Sequence, residues 1–119
     1  MKKENVLKIK SFEFAVRVVG ISGELQQDKE YVLSKQLLRS GTAIGALIRE
    51  AEFAQSNADF IHKLYIALKE ANETLYWIDL LKETNHLTTE KAMPAAKQTE
   101  ELISMLVASI KTLKLKNKN

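Results

Sequence analysis

Residues 31–55, YVLSKQLLRSGTAIGALIREAEFAQ, and residues 58–82, ADFIHKLYIALKEANETLYWIDLLK, are the two long runs that decide the fold. Both repeat apolar residues at alternating three- and four-residue intervals, which predicts two amphipathic helices. Between them, Ser56 or Asn57 is a suitable N-cap and Asp59 falls in the first turn of the second run. The pair therefore predicts two helices joined by a short polar turn.

The spacing also predicts which side chains form the core. On the first of these helices, expected over about 29–54, the seam is Leu33, Leu37, Ser40, Ile44, Leu47, Ala51 and Ala54. On the next helix, which Asn85 can end with a left-handed cap, the seam is Ile61, Leu64, Leu68, Ala71, Leu75 and Ile78. In the segment SGTAIGA, Gly41 and Gly45 each cost about 1 kcal/mol relative to alanine. Close approach of another helix would offset that cost, whereas a phosphate-binding loop is disfavoured because GTAIG lacks a lysine and a preceding strand.

Two further helices flank this pair. The first, expected over about 5–25, has one apolar row of Ile9, Phe12, Val16 and Val19 and a second row of Phe14, Val18, Ile21 and Leu25. We expect the first row to face the bundle, and the second either to pack on another helix of the chain or to meet another subunit. The last helix begins near Thr88 or, because of Pro94, nearer Ala92 or with a kink. Its predicted seam is Ala96, Thr99, Ile103, Leu106, Ile110 and Leu113.

These four helices predict an all-α fold, an antiparallel up-down-up-down four-helix bundle. We expect one domain over residues 1–119, with short basic tails at 1–4 and 114–119. The absence of cysteine excludes disulfides, thiolate zinc sites and cysteine nucleophiles. Neither a signal peptide nor a membrane span is indicated, so we expect a cytoplasmic protein without a membrane partner.

Positive charge is concentrated at the two ends of the chain, although the net charge is only +3. The lysines concerned are Lys2, Lys3, Lys8, Lys10, Lys111, Lys114, Lys116 and Lys118. An up-down-up-down bundle brings both ends together, where the lysines would form one basic patch. Solvated tails are the alternative interpretation.

A mixed aromatic and polar stripe runs along the third predicted helix. It consists of His62, Tyr65, Lys69, Asn72 and Tyr76, and Trp77 lies on the next row. Tyrosine, tryptophan and histidine are typical of half-buried interfaces. Subunit contact is the first interpretation, and a stacking surface for bases is the second.

The sequence does not predict an enzyme, a cofactor or a metal site. Helical bundles with two-metal carboxylate sites use a Glu-x-x-His step on two helices. The chain has two histidines: His86 follows Glu83 by three residues but is expected in a loop, and His62 follows Asp59, which occurs once and at a helix start. Two helices therefore do not carry the step. The carboxylates of Glu50, Glu52, Glu70 and Glu73 have Arg49, Lys63, Lys69 and Lys82 nearby in spacing, which favours ion pairs.

The two central helices resemble a known family. The residues that carry the resemblance are Leu33, Gln36, Leu37, Leu38, Arg39, Ser40, Gly41, Thr42, Ile44, Gly45, Ala46, Arg49, Glu50, Ala51, Phe60, Lys63, Leu64, Ala67, Leu68, Lys69, Glu70, Ala71, Glu73, Thr74, Tyr76 and Trp77. They are similar to the signature of bacterial four-helix-bundle proteins encoded in intervening sequences of 23S rRNA genes. Ala43 and Leu47 depart from it, because the family often has serine and asparagine there.

The resemblance implies a bundle that assembles into a homo-oligomeric ring, most plausibly a homopentamer. The chain is also similar to the accessory variability protein of diversity-generating retroelements, which implies nucleic acid and a reverse transcriptase, or another protein, as partners. The side chains expected at helix packing or subunit contacts are Ser40, Gly41, Gly45, Arg49, Glu50, Glu70, Glu73, Tyr76 and Trp77.

We therefore expect a non-enzymatic, homo-oligomeric bundle that binds RNA or DNA phosphates without base specificity. The terminal lysines would make the main contacts, and Arg39, Lys63 and Lys69 are weaker candidates. Arg49 and Glu50 are expected to pair with the charges of Glu70 and Glu73, within or between subunits. A protein–protein scaffold with no nucleic-acid role is the alternative.

Overall fold

The computed structural model describes residues 3–117 and folds them into four helices, with no strand in that range. The elements are α1 (Lys3–Gln27), α2 (Tyr31–Ala51), α3 (Asn57–Glu83) and α4 (Thr89–Asn117). Each helix packs on two others: α1 and α3 both contact α2 and α4. The result is an all-α body with principal extents of 52 × 22 × 22 Å.

The contacts between helices follow a regular order. Lys8, early in α1, forms an ion pair with Glu52 just after α2, and Ser22, late in α1, donates a hydrogen bond to the carbonyl of Ser34, early in α2. Between α1 and α4, Lys10 pairs with Glu101. Early residues of α1 thus contact the residue that follows α2 and the middle of α4, and a late residue of α1 contacts the first turn of α2.

The polar residues between helices form the turns. Ser56 caps α3, since its Oγ accepts a hydrogen bond from the backbone N–H of Asp59 at 3.1 Å, as predicted. Asn85 adopts the predicted left-handed conformation after α3, with φ 62°. Lys29, expected to start α2, instead has φ 67° in the turn after α1, and Glu30 caps α2. The last helix begins at Thr89, before Pro94.

The first apolar row of α1 does not face the bundle as expected, whereas the second row packs on other helices of the chain, which is one of its two predicted alternatives. Phe14, Val18, Ile21 and Leu25 are 0–7% exposed and form the core, whereas Ile9, Phe12, Val16 and Val19 are 46–58% exposed. The two rows are similarly apolar, so hydrophobicity alone does not rank them. Small side chains distinguish the two faces of α1. Ser11 and Ser22 are buried on the same face as the second row, where they let α1 approach its neighbours.

The other three seams are partly as predicted. Leu37, Ser40, Ile44, Ala51, Leu64, Ala71, Ile78, Thr99, Leu106 and Ile110 are buried. Leu33, Leu47, Ile61, Leu68, Leu75, Ala96, Ile103 and Leu113 are only partly buried. The residues that complete the core are Ile48, Ala67, Thr74, Leu81, Ala92, Ala95 and Leu102. The buried face of each of these helices thus contains more small and polar residues than the apolar pattern alone predicts.

Between residues 3 and 117, no helix is long and apolar enough to cross a membrane.

Candidate nucleic-acid and subunit-contact surfaces

The lysines predicted to form one basic patch fall into two groups. Lys8 and Lys10 are held in ion pairs, with Nζ 2.8 Å from Glu52 and 3.0 Å from Glu101, respectively. Lys111 and Lys116, in the last turns of α4, are exposed, and no ion pair joins them to any side chain that the structure describes. Lys2 and Lys118 lie outside the described residues, as does the Lys3 side chain.

Lys114, on the same segment of α4, contacts an aromatic ring. Its Nζ lies 4.9 Å from the centroid of Tyr65 on α3, which is a cation–π geometry. Residues 111–116 contain three lysines and no acid. This end of α4 is therefore a positively charged surface made by one helix and bordered by Tyr65.

Within the chain, the charges of Glu70 and Glu73 pair with Arg39 and not with Arg49, and their pairing with Arg49 between subunits stays a prediction. Arg39 Nη1 lies 3.0 Å from Glu70 Oε2, and its Nη2 contacts Glu73. Trp77 Nε1 donates a hydrogen bond to the same Glu73 carboxylate at 2.9 Å. Arg39 is therefore engaged between α2 and α3, although it was predicted as a weaker phosphate contact.

The register of α2 against α3 explains this outcome. The hydroxyl oxygens of Ser40 on α2 and Thr74 on α3 lie 2.9 Å apart in the core. This contact places Arg39, the neighbour of Ser40, beside Glu73, the neighbour of Thr74. Ten residues further along α2, Glu50 meets Lys63 at 3.8 Å. Arg49 lies over the ring of Phe12 on α1, 5.9 Å from its centroid.

The small residues of α2 lie against α1. A Cβ atom at Gly41 would lie 2.8 Å from both γ-carbons of Val18, and one at Gly45 would lie 3.4 Å from the backbone oxygen of Ser11. Ser11 itself is 1% exposed. The segment with Gly41 and Gly45, which has a low helix propensity, therefore lies at a close contact between α2 and α1.

The exposed row of α1 borders an apolar groove. This row, defined as Ile9, Phe12, Val16 and Val19, runs along the helix over about three turns. A groove of about 500 Å³ beside it is lined by Lys8, Phe12, Ala15, Thr42, Gly45, Ala46, Arg49, Glu50 and Phe53. Phe53, at the end of α2, is 84% exposed. An apolar surface of this extent is typical of a protein contact.

The predicted stripe of α3 is at the surface. His62, Tyr65, Lys69, Asn72 and Tyr76 are all exposed, with Tyr65 at 38% and Tyr76 at 59%. The Tyr76 ring meets Trp77 edge-on, with 5.1 Å between ring centroids. The stripe therefore presents two aromatic rings and a lysine along one helix.

The described residues hold no group of three or more histidine or acidic side chains that could bind a metal ion. The hydrogen bond that Lys91 donates to Glu24, followed by the charge of Glu24, raises the pKa of Lys91. This pair links α4 to α1 at the surface.

Comparison with known proteins assigns the chain to a family. The family model for the 23S rRNA-intervening sequence protein matches residues 3–108. The chain belongs to the 23S rRNA-intervening sequence protein family. The resemblance inferred from residues 33–77 is thereby confirmed. The lysines at 111, 114 and 116 lie beyond the part that the model matches.

A solved structure is similar to this 23S rRNA-intervening sequence family member throughout. It is a protein of unknown function from the S23 ribosomal protein family of Bacteroides thetaiotaomicron. The two chains are 55% identical, the match covers 92% of this chain and 99% of the other, and the TM-score is 0.90. No curated protein matches the chain.

Proposed function

We propose that the chain is a non-enzymatic, homo-oligomeric bundle that binds RNA or DNA phosphates through the lysine-rich end of α4. One observation carries the nucleic-acid part: Lys111, Lys114 and Lys116 are exposed within six residues that contain no acid. Lysines act on phosphates as point charges and carry no sequence information, so binding is expected to be independent of base sequence. Lys8, Lys10 and Arg39 are not part of this surface, because acids already hold them.

The exposed row of α1 supports self-association. Four large apolar side chains on one helix are about half exposed in the single chain. Covering them removes apolar area from water, which is favourable by about 25 cal/mol for each Å² buried. A second copy of the chain is the partner in this proposal, and a ring of five subunits is the assembly that the family resemblance implies.

The helices in this proposal alternate in direction. The order of the contacts supports an antiparallel arrangement, since Lys10 meets Glu101 while Glu24 meets Lys91. An alternating four-helix chain brings the start of α1 and the end of α4 to one end of the bundle. Several copies in one assembly would hold several lysine-rich ends close together, and this multivalency would strengthen weak phosphate contacts.

Light scattering on a size-exclusion column, with and without a mixed-sequence RNA, tests the proposal. We expect an oligomer that carries RNA at about 50 mM salt and releases it at about 200 mM, because phosphate binding weakens steeply with salt. The Lys111→Gln/Lys114→Gln/Lys116→Gln variant should keep its oligomeric size and lose RNA.

A matched control separates local charge from net charge. The exposed lysines Lys29, Lys35 and Lys97 lie elsewhere on the bundle, and their replacement by glutamine removes the same charge. This control should still bind RNA. Equal loss in both variants would show that only net charge matters and would contradict a site at the end of α4.

A protein–protein scaffold is the second candidate, and the exposed row of α1 favours it as well. The same experiment distinguishes the two. An oligomer that ignores RNA at every salt concentration is the result expected of a scaffold, and it would remove the nucleic-acid proposal. A monomer would remove the self-association that both candidates share.

A further inference from the structure

The exposed stripe of α3 has no role in the function proposed so far. Its members, His62, Tyr65, Lys69, Asn72 and Tyr76, recur at three- and four-residue intervals and therefore share one helix face. All five are exposed. None of them is acidic, so the stripe combines aromatic rings with positive and neutral polar groups.

Two contacts hold the aromatic rings of the stripe in place. Lys114 from α4 lies 4.9 Å from the centroid of Tyr65, which joins the stripe to the lysine-rich end of that helix. Tyr76 packs edge-on against Trp77, which is itself hydrogen-bonded to Glu73. Both rings keep a large exposed fraction, 38% for Tyr65 and 59% for Tyr76.

Two acids beside the stripe, Glu70 and Glu73, are turned to other partners, whereas Asp79, three residues after Tyr76, is exposed. Glu70 and Glu73 adjoin Lys69 and Asn72 in sequence, but both carboxylates are paired with Arg39 from α2. Glu73 also accepts the hydrogen bond from Trp77. Arg39 thereby balances the charges of Glu70 and Glu73, so an anion that approaches Lys69 or Lys114 does not meet these two carboxylates free.

We infer that this stripe is a stacking site for single-stranded nucleic acid. Tyr65 and Tyr76 each take the face of one unpaired base, while Lys69 and Lys114 contact phosphates. The two tyrosines are eleven residues apart, or about 16 Å along the helix, so a flexible strand bridges them with its intervening nucleotides. A duplex cannot use the rings, because its bases are stacked on one another.

This inference rests on the proposed nucleic-acid function and deepens it, since it names the class of nucleic acid and a second part of the site. Lys114 belongs to both parts. The lysine-rich end alone would bind single and double strands through their phosphates. The stripe adds a preference for single strands, which those lysines do not supply.

The test measures fluorescence anisotropy with a fluorescein-labelled mixed-sequence RNA of about 12 nucleotides, single-stranded or annealed to its complement. In the Tyr65→Leu/Tyr76→Leu variant, we expect single-strand affinity to fall at least about fivefold for each ring lost, from the usual strength of base stacking. Duplex affinity should stay within about twofold of the wild type.

The matched control is Tyr65→Phe/Tyr76→Phe, which keeps both rings and removes only the hydroxyl groups. It should bind the single strand within about twofold of the wild type. A second readout needs no label: Trp77, the single tryptophan, touches Tyr76, and its fluorescence should change when the single strand binds. The leucine variant should lose this change.

Each of the other possible results contradicts either the stacking site, the proposed function or both. If the wild type binds RNA and the leucine variant binds the single strand equally well, the stacking site is wrong and the proposed function stands. If the wild type binds neither the single-stranded nor the double-stranded RNA, the stacking site and the proposed nucleic-acid function are both wrong. If the leucine variant changes the oligomeric size in light scattering while the phenylalanine variant does not, the stripe is a subunit contact and the stacking site is again wrong.

Discussion

Gly41 packs directly against Val18, and this contact makes a prediction at the scale of one residue. In the Gly41→Ala variant, the new methyl group would lie 2.8 Å from both γ-carbons of a side chain that is fully buried. Overpacking of this kind costs about 1–3 kcal/mol and outweighs the gain of about 1 kcal/mol in helix propensity. We expect a lower free energy of unfolding, measured by urea denaturation.

Gly20 is the matched control. A Cβ atom there has nothing within 4 Å, and the residue is exposed on α1. Gly20→Ala should therefore raise the free energy of unfolding by about 0.5–1 kcal/mol. If both alanine variants are stabilised alike, the contact between Gly41 and Val18 does not constrain the packing of α1 on α2.

Arg39 is predicted to stabilise the bundle and to have no part in RNA binding. The Arg39→Gln variant leaves the carboxylates of Glu70 and Glu73, which lie one turn apart on α3, without their cation. We expect a loss of about 1 kcal/mol at low salt, because the pairs form a network and are partly exposed, and a smaller loss at high salt. Urea denaturation at two salt concentrations measures both values.

Lys35→Gln is the comparison for Arg39→Gln, since Lys35 is exposed on the same helix. It should leave stability almost unchanged, and both variants should bind RNA as the wild type does. A large loss of RNA binding in Arg39→Gln alone would return this residue to the phosphate-contacting surface.

At the scale of elements, the number of helices and most helix ends are readable from the sequence because caps and turns are local. Ser56 and Asn85 act where their side-chain chemistry predicts. The buried face of α1 was also available, since Leu7, Ser11, Phe14, Val18, Ile21 and Leu25 follow an unbroken four-three spacing. Ser11 interrupts the apolar pattern of this face, because a small polar residue is not counted as a core position when only apolar residues are considered.

The pairing of charges between helices was not predictable in the same way. Periodicity defines the face of each helix but not the register of one helix against the next. Arg39 and Arg49 both lie on α2 and differ by ten residues, and only the register set by Ser40 and Thr74 selects Arg39 as the partner of Glu70 and Glu73. The sequence therefore names candidate residues but does not predict the contacts between them.

The exposed row of α1 makes a prediction for that element. Val16 is 58% exposed within the row, and Val16→Lys places a charge in the proposed subunit contact. We expect dissociation to a smaller species in light scattering, with the helical circular dichroism signal retained, because burying an ammonium group costs several kcal/mol. Glu100→Lys, at an exposed position of α4, should leave the assembly intact.

Opposite results would argue against this contact. If Val16→Lys and Glu100→Lys both have the same size as the wild-type assembly, the row of α1 lies outside the interface. If Val16→Lys also loses its helical signal, the row has a structural role within one chain, which its exposure does not predict.

At the scale of the whole molecule, the structure separates two kinds of basic residue. Lys8 and Lys10 of α1 and Arg39 of α2 are held by acids from other parts of the bundle. Those at the end of α4 extend beyond the acids of that helix, whose last is Glu101. A modest net charge therefore coexists with one strongly positive end, and that end, together with Lys69 of the stripe, is expected to bind phosphates.

The salt dependence of binding measures how many charges take part. For single strands, the logarithm of the binding constant falls with the logarithm of salt concentration by about 0.7 for each phosphate neutralised. If Lys111, Lys114 and Lys116 each contact one phosphate, their replacement by glutamine should make the slope shallower by about 2 per chain. The Lys29, Lys35 and Lys97 control should keep the wild-type slope. A weaker affinity with an unchanged slope would mean that the three lysines do not touch phosphates, and the basic end of α4 would then act only on the stability or assembly of the bundle.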